Sequence, residues 1–311
     1  MRVTILISSI AVFVVTTTHG VAQEIELAKQ ITPKRGIAAS HVGDLGIAKD
    51  RRVILHEDFE SKDWATQWPE IKGRGKQTVI DDAKAAAHGG KHALRITATR
   101  DKDTGGHLFR SLGRGHDKLH LRFYVKFEKG HGYVHHFVHL CAYNPPTSWP
   151  QGGAGTRPAG DKRFTTGIEP TGNWGRFEPP GVWGFYSYWN EMKGSRDGKY
   201  WGNAVRPQIE QPVTCEKWIC VEIMLKCNEP GKRNGDQAIW IDGKPIGQWT
   251  GYRWRTTEDF GVNGVWMLYY MTPNAARQNK VKKPRKSNTV WFDDIVLATD
   301  YIGPMRDRKP K

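Results

Sequence analysis

Leu119-His120-Leu121-Arg122-Phe123-Tyr124-Val125-Lys126-Phe127 is the stretch that decides the fold. In an extended chain successive side chains point to opposite sides. Leu119, Leu121, Phe123, Val125 and Phe127 then share one face, and His120, Arg122, Tyr124 and Lys126 share the other. Wound as a helix, both sets would scatter around the circumference. The stretch reads as a half-buried strand with an apolar back and a chemically rich front.

Outward from it the same period recurs at 53–59, 93–99, 133–141, 182–189, 218–226, 238–242, 264–271 and 289–298, with Gly, Pro, Asn and Asp clusters between. Asp242-Gly243 between two apolar runs marks a tight hairpin turn. No long amphipathic helix and no repeat appears. Many short strands with turn punctuation predict an all-β sandwich or barrel spanning 51–303 as one domain. Residues 23–50 show no period and are expected to form a mobile arm, and 304–311 a basic tail. Two Gly/Pro-rich stretches, 144–181 and 193–212, are long enough to be functional loops. The first carries Trp149, Arg157, Arg163, Trp174 and Arg176 and is expected to cover a groove.

Arg2 followed by the apolar run from Ile5 to Val15 and small residues up to Ala22 reads as a signal peptide over 1–22. The run is too short to cross a membrane. A secreted or periplasmic protein without membrane insertion is expected. Four cysteines, Cys141, Cys215, Cys220 and Cys227, make no disulfide scaffold; in an oxidising compartment one or two bridges are expected, with Cys215–Cys220 or a Cys141 pairing as options. The formal net charge of +15 favours anionic partners. Export turns that away from nucleic acid and towards acidic polysaccharide, and a monomer is expected.

Thirteen tryptophans and ten tyrosines supply flat apolar faces with a polar tip, suited to sugar rings. Alternation groups Tyr186, Tyr188 and Asn190 opposite Phe185 and Trp189. It also places His135 and His139 with Tyr133 and Phe137, and His136 on the core side with Val134, Val138 and Leu140. His135 and His139 lie about 13 Å apart along a strand, too far to share one metal ion. If neighbouring fronts converge, one groove presents Arg122, Tyr124, Lys126, His135, His139, Tyr186 and Tyr188, with Arg95 and Glu222 beside them.

Such a mix suits β-elimination from a uronic acid polymer. The sugar carboxylate needs a cation or donor as the enolate develops, and His and Tyr can share the base and acid roles. The expected division gives His135 or Tyr188 the proton transfers and Arg122 or Lys126 the carboxylate, with Tyr124, His139, Tyr186, Arg95 and Asn190 binding sugar. Hydrolysis lacks a carrier, because no segment presents the two-carboxylate spacing it needs. Glu57/Asp58 and Asp293/Asp294 are expected to meet where the terminal strands pair, either as turn and edge residues or as ligands of a structural Ca²⁺; no other cofactor is implied.

The run from Trp218 to Lys226, followed by Asn228, Pro230-Gly231, Asp236 and Trp240-Ile241-Asp242-Gly243-Lys244, resembles jelly-roll polysaccharide lyases of the alginate lyase-like and glucuronan lyase-like families. Arg122 to Phe127 and Val290 to Val296 add to the likeness. The resemblance implies a concanavalin-like jelly-roll β-sandwich whose sheet binds uronate chains. It also implies metal-independent elimination by Tyr, His, Lys or Arg. The competing reading is a non-catalytic carbohydrate-binding or lectin-like envelope protein.

Overall fold

The computed structural model describes residues 26–27, 35–81, 88–150 and 152–307; the signal-peptide reading of 1–22 lies outside them. In chain order the strands are β1 (Glu26–Leu27), β2 (Val53–Glu57), β3 (Glu70–Lys72), β4 (Thr78–Asp81), β5 (Ala93–Thr99), β6 (Gly105–His116), β7 (Lys118–Phe127) and β8 (Val138–Tyr143). They continue with β9 (Arg163–Thr171), β10 (Val182–Tyr188), β11 (Asn203–Val205), β12 (Trp218–Lys226), β13 (Gly235–Ile241), β14 (Lys244–Tyr252), β15 (Val262–Tyr270) and β16 (Ser287–Ala298). The one α-helix among the described residues, Pro273–Gln278, is short and capped by the Thr272 hydroxyl.

All strand pairs are antiparallel and form two sheets. The nine-stranded sheet runs β1-β14-β13-β12-β7-β16-β5-β4, with β2 also paired to β16, and the seven-stranded sheet runs β11-β10-β9-β8-β15-β6-β3. The molecule is a jelly-roll β-sandwich. Its core lies between the sheets, where the apolar face of β7 meets Phe137, Leu140, Trp183 and Val265. Phe137 alone contacts the rings of Phe123, Phe127 and Phe292, at 6.3, 5.6 and 5.3 Å. A small polar cluster is sealed in the same layer, Thr166 and Ser187 donating to Gln237.

Residues 35–50 are no mobile arm. They form two 3-10 turns, Ile37–Ser40 and Ile47–Lys49, whose Ile37, Ala38 and Ile47 pack on Val296, Ala298 and Ile302. The tail is anchored up to Arg306. Met305 N donates to the Tyr124 hydroxyl, Arg306 Nη1 donates to Ala39 O, and Val42 bridges Arg306. Residues 35–50 and 301–307 thus cover the part of the nine-stranded sheet's outer face around Arg122, Tyr124 and Glu222.

All four cysteines are free. Cys220 faces Arg122 and Tyr124 on that outer face, whereas Cys215 packs against the core on the other side of the sheet, so the Cys215–Cys220 option is blocked by the sheet, and Cys141 is unpaired too. Glu57 and Ile295 do pair across β2 and β16, as expected. The carboxylates there accept hydrogen bonds from the protein. Glu57 accepts from Phe59 N, Gln67 and Trp68, and Asp293 from His88 N and Gly89 N.

Candidate functional site

The expected groove divides between the two sheets. Arg122, Tyr124, Lys126, Arg95 and Glu222 all lie on the outer face of the nine-stranded sheet, away from the histidines and the tyrosine pair. Arg122 is fully buried, ion-paired with Asp44 and donating to Asp294 O at 3.0 Å. The Glu222 carboxylate accepts from Ile302 N and Gly303 N and meets His120 at 3.0 Å. The Tyr124 ring stacks on His88 with centroids 3.6 Å apart. Lys126 lies between the Trp218 and Trp291 rings at 5.0 and 5.1 Å, and Arg95 Nη1 is 3.7 Å from Asp81. Alternation assigned Arg122, Tyr124 and Lys126 correctly to one face of β7, but residues 35–50 and 301–307 close that face over Arg122, Tyr124 and Glu222, while Arg95 and Lys126 stay partly exposed. They cannot serve a groove on the other sheet.

The outer face of the seven-stranded sheet is the place where reactive groups do converge. Register sets Tyr186, Gly167, His139, Trp266 and Phe109 in one row across β10, β9, β8, β15 and β6. Directly opposed residues of antiparallel strands share a face, so Glu169 and Tyr188 flank that row on the same side. Two glycines make room: a Cβ on Gly167 would come within 2.5 Å of His139 Nε2, and one on Gly202 within 2.3 Å of the Tyr186 ring. The two long loops meet where Tyr200 N donates to Gly155 O at 3.1 Å, walling the β10 side. The face with its wall is a trough.

His139, His136, Glu169, Tyr186 and Tyr188 form one connected cluster. The His136 ring lies 6.2 Å from His139 and 5.1 Å from Tyr186, and the Tyr186 and Tyr188 hydroxyls are 3.4 Å apart. His136 Nδ1 is 3.2 Å from Glu169 Oε2. His139 Nδ1 is 2.6 Å from Phe137 O. A carbonyl can only accept, so Nδ1 carries the proton and Nε2, over Gly167, holds a lone pair. Burial pulls both histidines down to about 4 and pushes Glu169 up to about 8. At neutral pH the cluster therefore combines uncharged imidazoles with a protonated carboxyl group. Burial also raises the Tyr186 phenol, with the Tyr188 hydroxyl adding to it.

His135 stacks on His136 and Tyr270, at 4.4 and 5.2 Å, and bonds the Thr272 hydroxyl through Nδ1. Phe137 turns into the core and His136 into the trough, the reverse of the expected alternation, because regular pairing begins only at Val138. Asn190 lies past the end of β10 against Gly160, with its Oδ1 buried and without a hydrogen-bond partner. Cations stand at the margins. Arg163 holds its guanidinium 5.6 Å over Tyr188 while donating to the carbonyls of Gly152, Gly153 and Thr156. Arg206 passes beside Gly184, whose strand partner is Glu169.

Sequence reasoning missed Glu169, Trp266, His107 and the pairing of Arg163 with Tyr188. The strand β9 lies inside 144–181, whose Gly and Pro content reads as loop. Its signal is the alternation of Phe164, Thr166 and Ile168 against Arg163, Thr165, Gly167 and Glu169, weakened because Thr166 is a polar residue facing the core. A separate cavity of about 230 Å³, lined by Met271, Pro273, Ala276 and Val281, has His131 as its only histidine. That imidazole is fully buried and bonded to Gly132 O and the Tyr269 hydroxyl.

No family model and no curated protein matches the chain by sequence. Solved structures share its fold. The alginate lyase Aly36B superimposes with a TM-score of 0.53 at 16% identity, covering 81% of this chain and 95% of its own. The marine PL-14 alginate lyase from Aplysia kurodai gives 0.58 at 14% identity, covering 80% and 99%. The endo-β-1,4-glucuronan lyase from the fungus Trichoderma reesei gives 0.51 at 18%, covering 80% and 96%. These neighbours are lyases of anionic polysaccharides, and the similarity extends over nearly all of each.

Proposed function

We propose that this protein is an exported lyase that cleaves a uronic acid polymer by β-elimination in the trough of the seven-stranded sheet. The observation that carries the proposal is His139. Its Nδ1–H donates to Phe137 O, which leaves the Nε2 lone pair over Gly167, the cross-strand partner of Tyr186. In the reaction a base removes the C5 proton and the C–H electron pair becomes the C4–C5 double bond. The C4–O4 pair leaves with O4, which takes a proton from an acid. His139 Nε2 is the base and the Tyr188 hydroxyl is the acid, both held within one wall of side chains.

The substrate carboxylate needs donors while charge builds on it. The protonated Glu169 can donate to it, and Arg206, whose stem passes Gly184 at the same end and whose guanidinium lies over Phe177, is the nearest cation there. This replaces Arg122 and Lys126, which the other sheet retains. The fold shared with alginate and glucuronan lyases supports the substrate class. A binding protein without turnover is the second reading, favoured by one observation: the Arg163 guanidinium is already taken up by loop carbonyls. Incubation with alginate and glucuronan while following ultraviolet absorbance of the unsaturated product separates the two. Product that disappears in Tyr188→Phe supports elimination; retention on both polymers with no product establishes binding alone.

A further inference from the structure

At the β6 end of the trough, away from the tyrosine pair, two polar atoms are buried without a partner. They are His107 Nε2, on a residue only 3% exposed, and Trp266 Nε1. Buried polar groups in native proteins are nearly always bonded to protein or water, so two such atoms on one face are free to take a ligand's hydroxyls. His107 and Trp266 meet edge to face at 5.6 Å. Above them Trp149, 51% exposed, sets its indole 5.5 Å from His107. A large aromatic left half in solvent beside unsatisfied donors is the arrangement a sugar ring fills, its apolar face on the indole and its hydroxyls on the polar atoms.

The neighbouring strand adds charge. Lys72 of β3 opposes His107 and shares its face, with an exposed side chain and no ion pair among the described residues. Glu70 of the same strand is 3.7 Å from His107 Nε2, beyond hydrogen-bond reach.

We infer that Trp149, His107, Trp266 and Lys72 form a distal uronate subsite, which holds a sugar of the polymer remote from the bond being cleaved. Trp149 carries the ring, His107 and Trp266 take hydroxyls, and Lys72 takes the carboxylate. This rests on the trough being the polysaccharide site. β6 lies two strands beyond β8, about 10 Å from His139 at ordinary strand spacing. A chain laid across the strands therefore reaches this subsite only when it extends past the reacting bond by more than one sugar.

The test is affinity electrophoresis of the whole protein in gels containing alginate or glucuronan, with Trp149→Ala, Trp149→Phe and Lys72→Ala against the parent. Kinetics on uronate oligomers of increasing length are run alongside. Trp149 is exposed, so its replacement leaves folding intact. In Trp149→Ala, retardation is expected to weaken up to about tenfold, the size of one aromatic stacking contact, with Trp149→Phe recovering part of it. In the oligomer series, kcat/KM of the parent rises once the chain reaches the subsite and that of Trp149→Ala does not. Equal retardation of parent and Trp149→Ala, or the same length dependence, overturns the subsite. Retardation lost in Trp149→Ala with no product from the parent keeps the subsite and overturns elimination instead.

Discussion

The two outer faces of this sandwich carry nearly the same chemistry and do opposite things with it. On the nine-stranded sheet, Arg122, His120, Glu222 and Tyr124 are closed in by residues 35–50 and 300–307, and each has a fixed partner. On the seven-stranded sheet, His139, Glu169 and Tyr186 meet mainly groups of their own and adjacent strands, and His107 Nε2 and Trp266 Nε1 have no partner; on the covered face Asp44 Oδ1 and Arg122 Nε also lack one, but their side chains are ion-paired. A histidine, an arginine and a tyrosine on one strand face say little about reactivity. What separates a brace from a site is whether remote segments of the chain pair with the groups and cover them.

That contrast can be broken in order of effect. Tyr188→Phe removes the acid of the trough, and turnover on uronate polymer is expected to fall about 10²–10⁴-fold, with the urea unfolding midpoint nearly unchanged. Asp44→Ala on the covered face should do the reverse. Leaving Arg122 buried and unpaired costs about 3–5 kcal/mol, read from urea unfolding, while the folded fraction keeps its specific activity. If Asp44→Ala alters turnover per folded molecule and Tyr188→Phe does not, the assignment of the two faces is inverted.

A third change reads the buried carboxyl of the trough. Glu169 stands near 8 in the folded protein against an ordinary 4.5, so it is raised, and the stability it lends is complete below 4.5 and lost as pH rises through 8. Glu169→Gln does not titrate. It should match the parent near pH 4 and exceed it by at least about 1 kcal/mol near pH 8, as measured by urea melts across that range. His136 and His139 act with the opposite sign, being lowered from 6.5 to about 4; their contribution is present above 6.5 and lost as pH falls through 4. A parent protein whose stability is flat between pH 3 and 9 would contradict both. The smallest effect is a null one. With all four thiols free and Cys215 and Cys220 on opposite sides of the sheet, dithiothreitol should leave the unfolding midpoint where it was.

Much of the strand pattern was readable from residues. β5 and β12 begin and end where alternation places them, and the two faces of β7 are as expected. β6 escaped because its glycines dilute the pattern, and β9 because Thr166 spends a polar side chain inside the core. His136 was assigned to the wrong side since alternation was extended into 133–137, where the backbone is not yet a regular strand.

The sequence by itself determined which side chains of a strand stand together, since the pleat allows no other arrangement. It could not determine which faces meet solvent. Alternation is a local property, whereas covering is imposed by segments remote in the chain, such as Asp44 reaching Arg122 and Ile302 reaching Glu222. Only tertiary structure decided that one rich face became a brace and the other a trough.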